Sequence, residues 1–124
     1  MQTAKSKSRS FRDLEVWKLS MELAKELYTL TSKFPPSENF GLTNQIRRAA
    51  VSIPANIAEG QGRNSSKEFR QFLSIGLGSL AELETQLILS KEISYMTSEE
   101  LNPLLTALDR IRKMIKGLSK GIKS

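Results

Sequence analysis

The chain has 124 residues, 39% of them hydrophobic and 26% charged, with a formal net charge of +6, a size that supports one domain with a real core but not two. It contains no cysteine and no histidine, which excludes disulfides, thiolate or imidazole metal sites, a cysteine nucleophile and the usual general base. Any catalyst would be restricted to Asp, Glu, Lys, Ser and Tyr, so the reading is of a protein that is not an enzyme. The charge is unevenly placed: every acid lies between Asp13 and Asp109, whereas Lys5, Lys7, Arg9 and Arg12 open the chain and Arg110, Arg112, Lys113, Lys116, Lys120 and Lys123 close it. Basic ends on an acidic middle either bind polyanions or serve solubility. The opening "MQTAKSKSRS" leads into no apolar stretch of signal-peptide length and no run of about 18 apolar residues follows, so a cytoplasmic location is expected.

In chain order, residues 1–12 read as a basic tail and 13–119 as the folded unit, with 120–124 a basic end. The first helix is predicted over 14–32, with Asp13 as N-cap. Its apolar stripe is Leu14, Trp17, Met21, Ala24, Tyr28 and Thr31, widened by Leu23, Leu27 and Leu30. "FPPSE" stops it, because consecutive prolines cannot continue a helix. The second helix, 42–59, places Leu42, Ile46, Ala49, Ala50, Ile53 and Ile57 on one side. Arg47, Val51, Ala55 and Ala58 fall on the opposite side, a pattern that asks for a second packing partner. Pro54 lies inside it and should bend its axis.

In the turn "EGQGRNSS", Gly60 or Gly62 can take the left-handed conformation that closes a helix, and Ser65 with Glu68 reads as a capping box opening a third helix over 66–93. Gly76 and Gly78 within that helix point to close approach by a neighbour. Thr97 with Glu100 repeats the capping box for a fourth helix, 98–119, in which Pro103 is early enough to be tolerated. Its stripe is Leu104, Leu108, Ile111, Ile115, Leu118 and Ile122, with Arg112, Lys116, Lys120 and Lys123 on the other side. Four helices, short turns and no strand signal give an all-α, antiparallel up-down four-helix bundle.

Two chemical readings fail on pattern. "SIGLGSL" is no phosphate loop, because its glycines lie mid-helix rather than between strand and helix. Glu22, Glu26, Glu82 and Glu84 lack the histidines of a di-metal bundle, so no metal and no cofactor is expected. The turn region is the stronger candidate: free N–H groups at the start of the third helix lie beside Arg63, Lys67 and Arg70, a combination suited to a nucleic-acid phosphate. The alternative is that Ser65 caps the helix and Arg63 pairs with Glu59 or Glu68. Arg47 and Arg48 pose the same choice, since either could pair with Glu38 or Glu59. A membrane-surface role for the fourth helix is disfavoured, because the core needs its apolar face.

The stretches "FRDLEVWKLSMELAKELY", "FPPSENFGLTNQIRRAAVSIPANIAEGQGR", "EFRQFLSIGLGSLAELETQL" and "ISYM" resemble the bacterial four-helix bundle family also called the 23S ribosomal RNA intervening-sequence proteins, over residues 11–119. The resemblance implies an all-helical protomer in a ring-like homopentamer, with no established catalytic activity. The accessory protein of diversity-generating retroelements, which partners a reverse transcriptase and nucleic acid, looks like a distant relative and implies RNA, DNA or a nucleic-acid-processing protein as partners. On this reading the second helix faces both its own bundle and a neighbouring subunit, through Val51, Pro54, Ala55, Asn56, Ala58, Glu59, Gly60 and Gly62. The expectation is a non-enzymatic helical adaptor that binds RNA or DNA electrostatically through its basic ends, Arg47, Arg48 and the turn arginines. No base-stacking aromatics are interleaved with the basic residues. A protein-interaction scaffold ring without nucleic-acid binding is the alternative.

Overall fold

The computed structural model describes residues 10–122. A 3-10 turn, Phe11–Asp13, leads into α1 (Glu15–Thr31), and a second such turn, Pro36–Glu38, precedes α2 (Leu42–Gln61). Helices α3 (Ser66–Glu92) and α4 (Ser98–Gly121) follow, and there is no strand among the described residues. Helix α1 packs against α2 and α4, and α3 packs against the same two helices, while the diagonal pairs make no close backbone contact. Short connections and this neighbour pattern define a four-helix bundle with consecutive helices side by side. One end of the bundle therefore gathers the starts of α1 and α3 with the ends of α2 and α4.

The core is a column of wholly buried aliphatic side chains: Leu27 from α1, Ile46, Ile53 and Ile57 from α2, Leu73, Leu80, Leu83 and Leu87 from α3, and Leu108, Ile111 and Ile115 from α4. Each such side chain contributes about 1.5–3 kcal/mol relative to exposure, so these layers hold the fold together. Helix α3 is long and apolar enough, by length and composition, to cross a membrane. Here Leu73, Leu80, Leu83 and Leu87 are buried in the bundle core.

Several local expectations are corrected. Asp13 does not cap α1: it belongs to the first 3-10 turn, which Ser10 caps by accepting from the Arg12 N–H at 3.1 Å, and the α1 N-cap position is Leu14. The buried stripe of α1 runs through Val16, Ser20, Leu23, Ala24, Leu27 and Thr31. Met21 and Tyr28 fall outside it, at 38% and 45% exposure. No glycine has a positive φ among the described residues; the only left-handed residue there is Ser94. Gly60 is a buried residue within α2, and a Cβ there would stand 2.8 Å from Phe69 Cδ1 and 2.9 Å from Phe72 Cβ. Its role is thus to let α2 and α3 meet closely beside the turn. The same role fails for the glycines of α3: a Cβ on Gly76 would make only an ordinary contact with Ile115, and one on Gly78 would meet nothing within 4 Å.

Pro54 is buried inside α2, which continues past it to Gln61. The Ser65 hydroxyl accepts from the Glu68 N–H at 3.1 Å, and Thr97 and Glu100 complete a reciprocal capping box at 3.1 and 2.9 Å. Helix α2 has no cap from Gly41. Glu38 supplies the acceptor instead, taking the Leu42 N–H at 2.9 Å on one carboxylate oxygen and the Tyr95 hydroxyl at 2.9 Å on the other. Phe34 packs against the Tyr95 ring at 5.2 Å and fixes this end of the bundle.

Candidate nucleic-acid interface

The basic residues expected to form a site divide into those committed to structure and those left free. Arg47 does not pair with Glu38 or Glu59. Its Nε donates to Thr31 Oγ1 at 2.9 Å and its Nη2 to the Tyr28 carbonyl at 3.1 Å, with the guanidinium 4.6 Å from the Tyr28 ring centroid. It closes the last turn of α1, where a cation complements both the orphan carbonyls and the helix dipole. Arg63 takes the structural alternative, bonding Glu59 at 2.6 Å and lying 4.9 Å above the Phe72 ring. Arg70 donates to the Ile122 carbonyl at 3.2 Å and joins the start of α3 to the end of α4. Arg112 does not face freely outward, as its stripe position suggested: it bridges Glu84 of α3 at 2.5 Å and Asp109 of its own helix at 3.1 Å.

Lys67, Lys116 and Lys120 are exposed and have no ion-pair partner among the described residues, and Arg48 shares that condition. The antiparallel order of the helices places the three lysines at the end where α3 begins and α4 finishes, together with Arg12, Arg63 and Arg70. Basic side chains outnumber the acids there, Asp13, Glu15, Glu59 and Glu68. Lys123 lies outside the described residues, as do Lys5, Lys7 and Arg9. Arg47 and Arg48 sit near the start of α2, at the opposite end, so the structure does not bring all the expected cations together. Phe40 is 97% exposed, an aromatic free in solvent that the sequence reading missed, but it precedes α2 and belongs to that opposite end.

The residues expected at contacts of α2 are equally divided. Asn56 Nδ2 donates to the Ser52 carbonyl at 2.8 Å and to the Ser52 hydroxyl at 2.9 Å. Ser52 and Ser79 share a hydrogen bond at 2.7 Å, so Ser52 links Asn56 to α3. Gly60 is held against the two phenylalanines, Ala58 is half-buried, and Gly62 is the exposed C-cap of α2. Val51 and Ala55 point to solvent.

Every perturbed titration has a structural cause. The Leu42 N–H and then the Tyr95 hydroxyl hold Glu38 below the usual carboxylate range, and the same bond to Glu38 pushes the Tyr95 phenol up. Lys33, 2.8 Å from Glu100, lowers that carboxyl together with the Thr97 N–H. Lys113, with Arg112, lowers Asp109. Glu22 and Glu26 line a groove of about 280 Å³ between α1 and α4, whereas Glu82 and Glu84 are on α3, the diagonal helix, so these four carboxylates do not converge. No cluster of three or more Asp or Glu side chains able to hold a metal exists among the described residues.

The fold is shared with a crystal structure from Bacteroides thetaiotaomicron VPI-5482, of a protein with unknown function from the S23 ribosomal protein family. The two align with a TM-score of 0.76 and 28% identity over 85% of this chain and 98% of that one. No curated protein matches the chain. The sequence model of the 23S rRNA-intervening sequence protein family matches residues 12–117, and the chain belongs to that family.

Proposed function

We propose that this protein is a non-enzymatic helical adaptor that assembles into a ring-like homo-oligomer and binds RNA or DNA through its basic end in the cytoplasm. The observation that carries the reading is the gathering of Lys67, Lys116 and Lys120, none in an ion pair among the described residues, at the end where α3 begins and α4 finishes. Lysines without carboxylate partners lose nothing internal when they meet phosphates, and each phosphate neutralised releases counterions. The start of α3 adds backbone N–H groups directed the same way. Binding of this kind reads charge and shape rather than sequence. The family's name, with its reference to 23S rRNA, supports RNA as one polyanion to test. Membership in a homopentameric ring is proposed from the same resemblance.

The test is a salt titration of binding to structured RNA and to duplex DNA. A linear fall of log K with log salt, for either polymer, supports the adaptor. Absence of binding at about 150 mM salt leaves the scaffold ring as the reading.

A further inference from the structure

Helices α1 and α4 are the neighbouring pair that pack least closely, and a groove runs between them. Its floor is apolar: Leu23 and Ile111 are buried beneath it, Leu19 and Ala107 are half-buried, and Pro103 forms one edge. A second hollow of about 210 Å³ shares Glu26 and Pro103 with the first and carries the groove on to Leu30 and Glu99. From Leu19 to Leu30 the floor is about 16 Å long at 1.5 Å per residue, roughly three turns of helix. The rim is acidic on a chain whose net charge is +6. Glu26 and Glu99 are exposed and have no ion-pair partner among the described residues, where Glu22 has only Lys25 of its own helix, at 4.0 Å. Acceptors predominate for a second reason. Pro103 has no N–H to give the Glu99 carbonyl, and the Thr106 hydroxyl donates back to the Asn102 carbonyl at 3.2 Å. Arg110 lines the end of the groove nearer Lys116 and Lys120.

We infer that this groove docks a cationic amphipathic helix of another protein. The walls select a helix. Both are helices whose backbone groups bond internally, so an extended peptide would bury N–H and C=O groups without partners, whereas a helix brings its own already paired. Apolar side chains at i, i+3, i+4 and i+7 of the ligand meet Leu19, Leu23, Ala107 and Ile111. Charge selects the partner. Glu22 and Glu26 lie one turn apart, and Glu99 continues the row across the second hollow. Lysine or arginine residues at one-turn spacing along the edge of the docked helix each find a carboxylate there, and an acidic helix is repelled. Arg110 gives the ligand a direction, by favouring an acidic residue at one end of it. The same carboxylates keep nucleic acid off this side, so the groove and the basic end take ligands of opposite charge. One chain then joins a polyanion at its end to a cationic protein along its side. Docking in the groove requires no nucleic acid, and its test is made without one.

The probe is a fluorescein-labelled helical peptide of about 15 residues, four turns long, with leucine along one side and lysine and alanine on the others. A second peptide has glutamate in place of lysine. Fluorescence anisotropy at about 150 mM salt is expected to show saturable, micromolar binding of the lysine peptide and none of the glutamate peptide. Glu22→Lys/Glu26→Lys reverses the rim, and Thr106→Trp fills the groove from an exposed position. Each should weaken binding at least about tenfold, with helicity by circular dichroism unchanged. Glu82→Lys/Glu92→Lys makes the same change of charge on α3 and should leave the affinity within about twofold. Amide NMR shifts on adding the lysine peptide should centre on Leu19, Ala107 and Arg110. Absence of binding, equal weakening by the two double variants, or full affinity in Thr106→Trp overturns the inference. So does a fall in the protein's mass by light scattering as the peptide is added, which assigns the groove to contacts between copies. Binding that appears only when residues 1–9 are removed overturns it too, and assigns the groove to the chain's own basic start.

Discussion

Gly60→Ala tests the closest approach in the bundle. In an open helical position this substitution stabilises by about 0.5–1 kcal/mol, because alanine has the better helix propensity. At Gly60 the new methyl would stand 2.8 Å from Phe69 Cδ1, 2.9 Å from Phe72 Cβ and 3.3 Å from the Phe69 carbonyl oxygen. A ring edge can swing away, but Phe72 Cβ and the Phe69 carbonyl move only with the α3 backbone. The helices must then part by several tenths of an ångström across a buried contact, an overpacking cost of about 1–3 kcal/mol. Subtracting the propensity gain leaves a net loss of about 0–2.5 kcal/mol, centred near ~1 kcal/mol. For a domain of this size the central value lowers Tm by roughly 3–6 °C. Gly117→Ala is the control: nothing lies within 4 Å of a Cβ there, so the same chemical change should raise Tm by a few degrees. Thermal and urea unfolding of both variants at one protein concentration would check the pair. If Gly60→Ala stabilises as Gly117→Ala does, the close α2–α3 contact is not what requires glycine at position 60.

Arg47→Met removes two charge-assisted hydrogen bonds from the end of α1 and should destabilise the protein by about 1–2 kcal/mol in urea titrations. Arg48→Met, which breaks no bond within the described residues, should change the monomer's stability by less than about 0.5 kcal/mol. Glu38, Glu100 and Asp109 are held below their ordinary values, so the stability they add is present above the unfolded carboxyl range and is lost as pH falls through their lower folded values. Urea midpoints should therefore decline on acidification, and Glu38→Gln should make that decline shallower. The Tyr95 phenol is raised, so its contribution is complete below the ordinary tyrosine value of 10.0 and disappears as pH rises through the folded value. Tyr95→Phe should flatten the alkaline limb of the same profile.

Four helices and their turns were legible because hydrophobic period, prolines and capping residues agreed along most of the chain. The bundle core through Ile46, Ile53 and Ile57 follows directly from the α2 stripe. The α1 stripe was harder: apolar residues occur around much of that helix, and only its packing against α2 and α4 shows that Leu23 and Leu27 are core while Met21 and Tyr28 are surface. Glycine was ambiguous for a similar reason. Gly60 reads in sequence as a turn residue and Gly78 as a packing residue, and only the position of α3 relative to α2 shows that the close contact is at Gly60 and open space at Gly78. For the candidate site, sequence located the cations but not their partners. Arg47, Arg70 and Arg112 reach acceptors 16, 52 and 28 residues away, separations at which no local spacing rule operates. Lys67, Lys116 and Lys120 share one end because the up-down topology alone brings the start of α3 beside the end of α4.

The measurement closest to the central claim compares the salt dependence of binding to one structured RNA and one DNA duplex for the wild type, for Lys67→Ala/Lys116→Ala/Lys120→Ala and for Arg112→Ala. Removing three phosphate-facing lysines should reduce the slope of log K against log salt by about 2–3 per protomer. Arg112→Ala, whose partners are Glu84 and Asp109, should lower stability and leave the slope unchanged. Equal slopes for the wild type and the triple lysine variant would contradict the assignment of nucleic-acid binding to the basic end of the bundle.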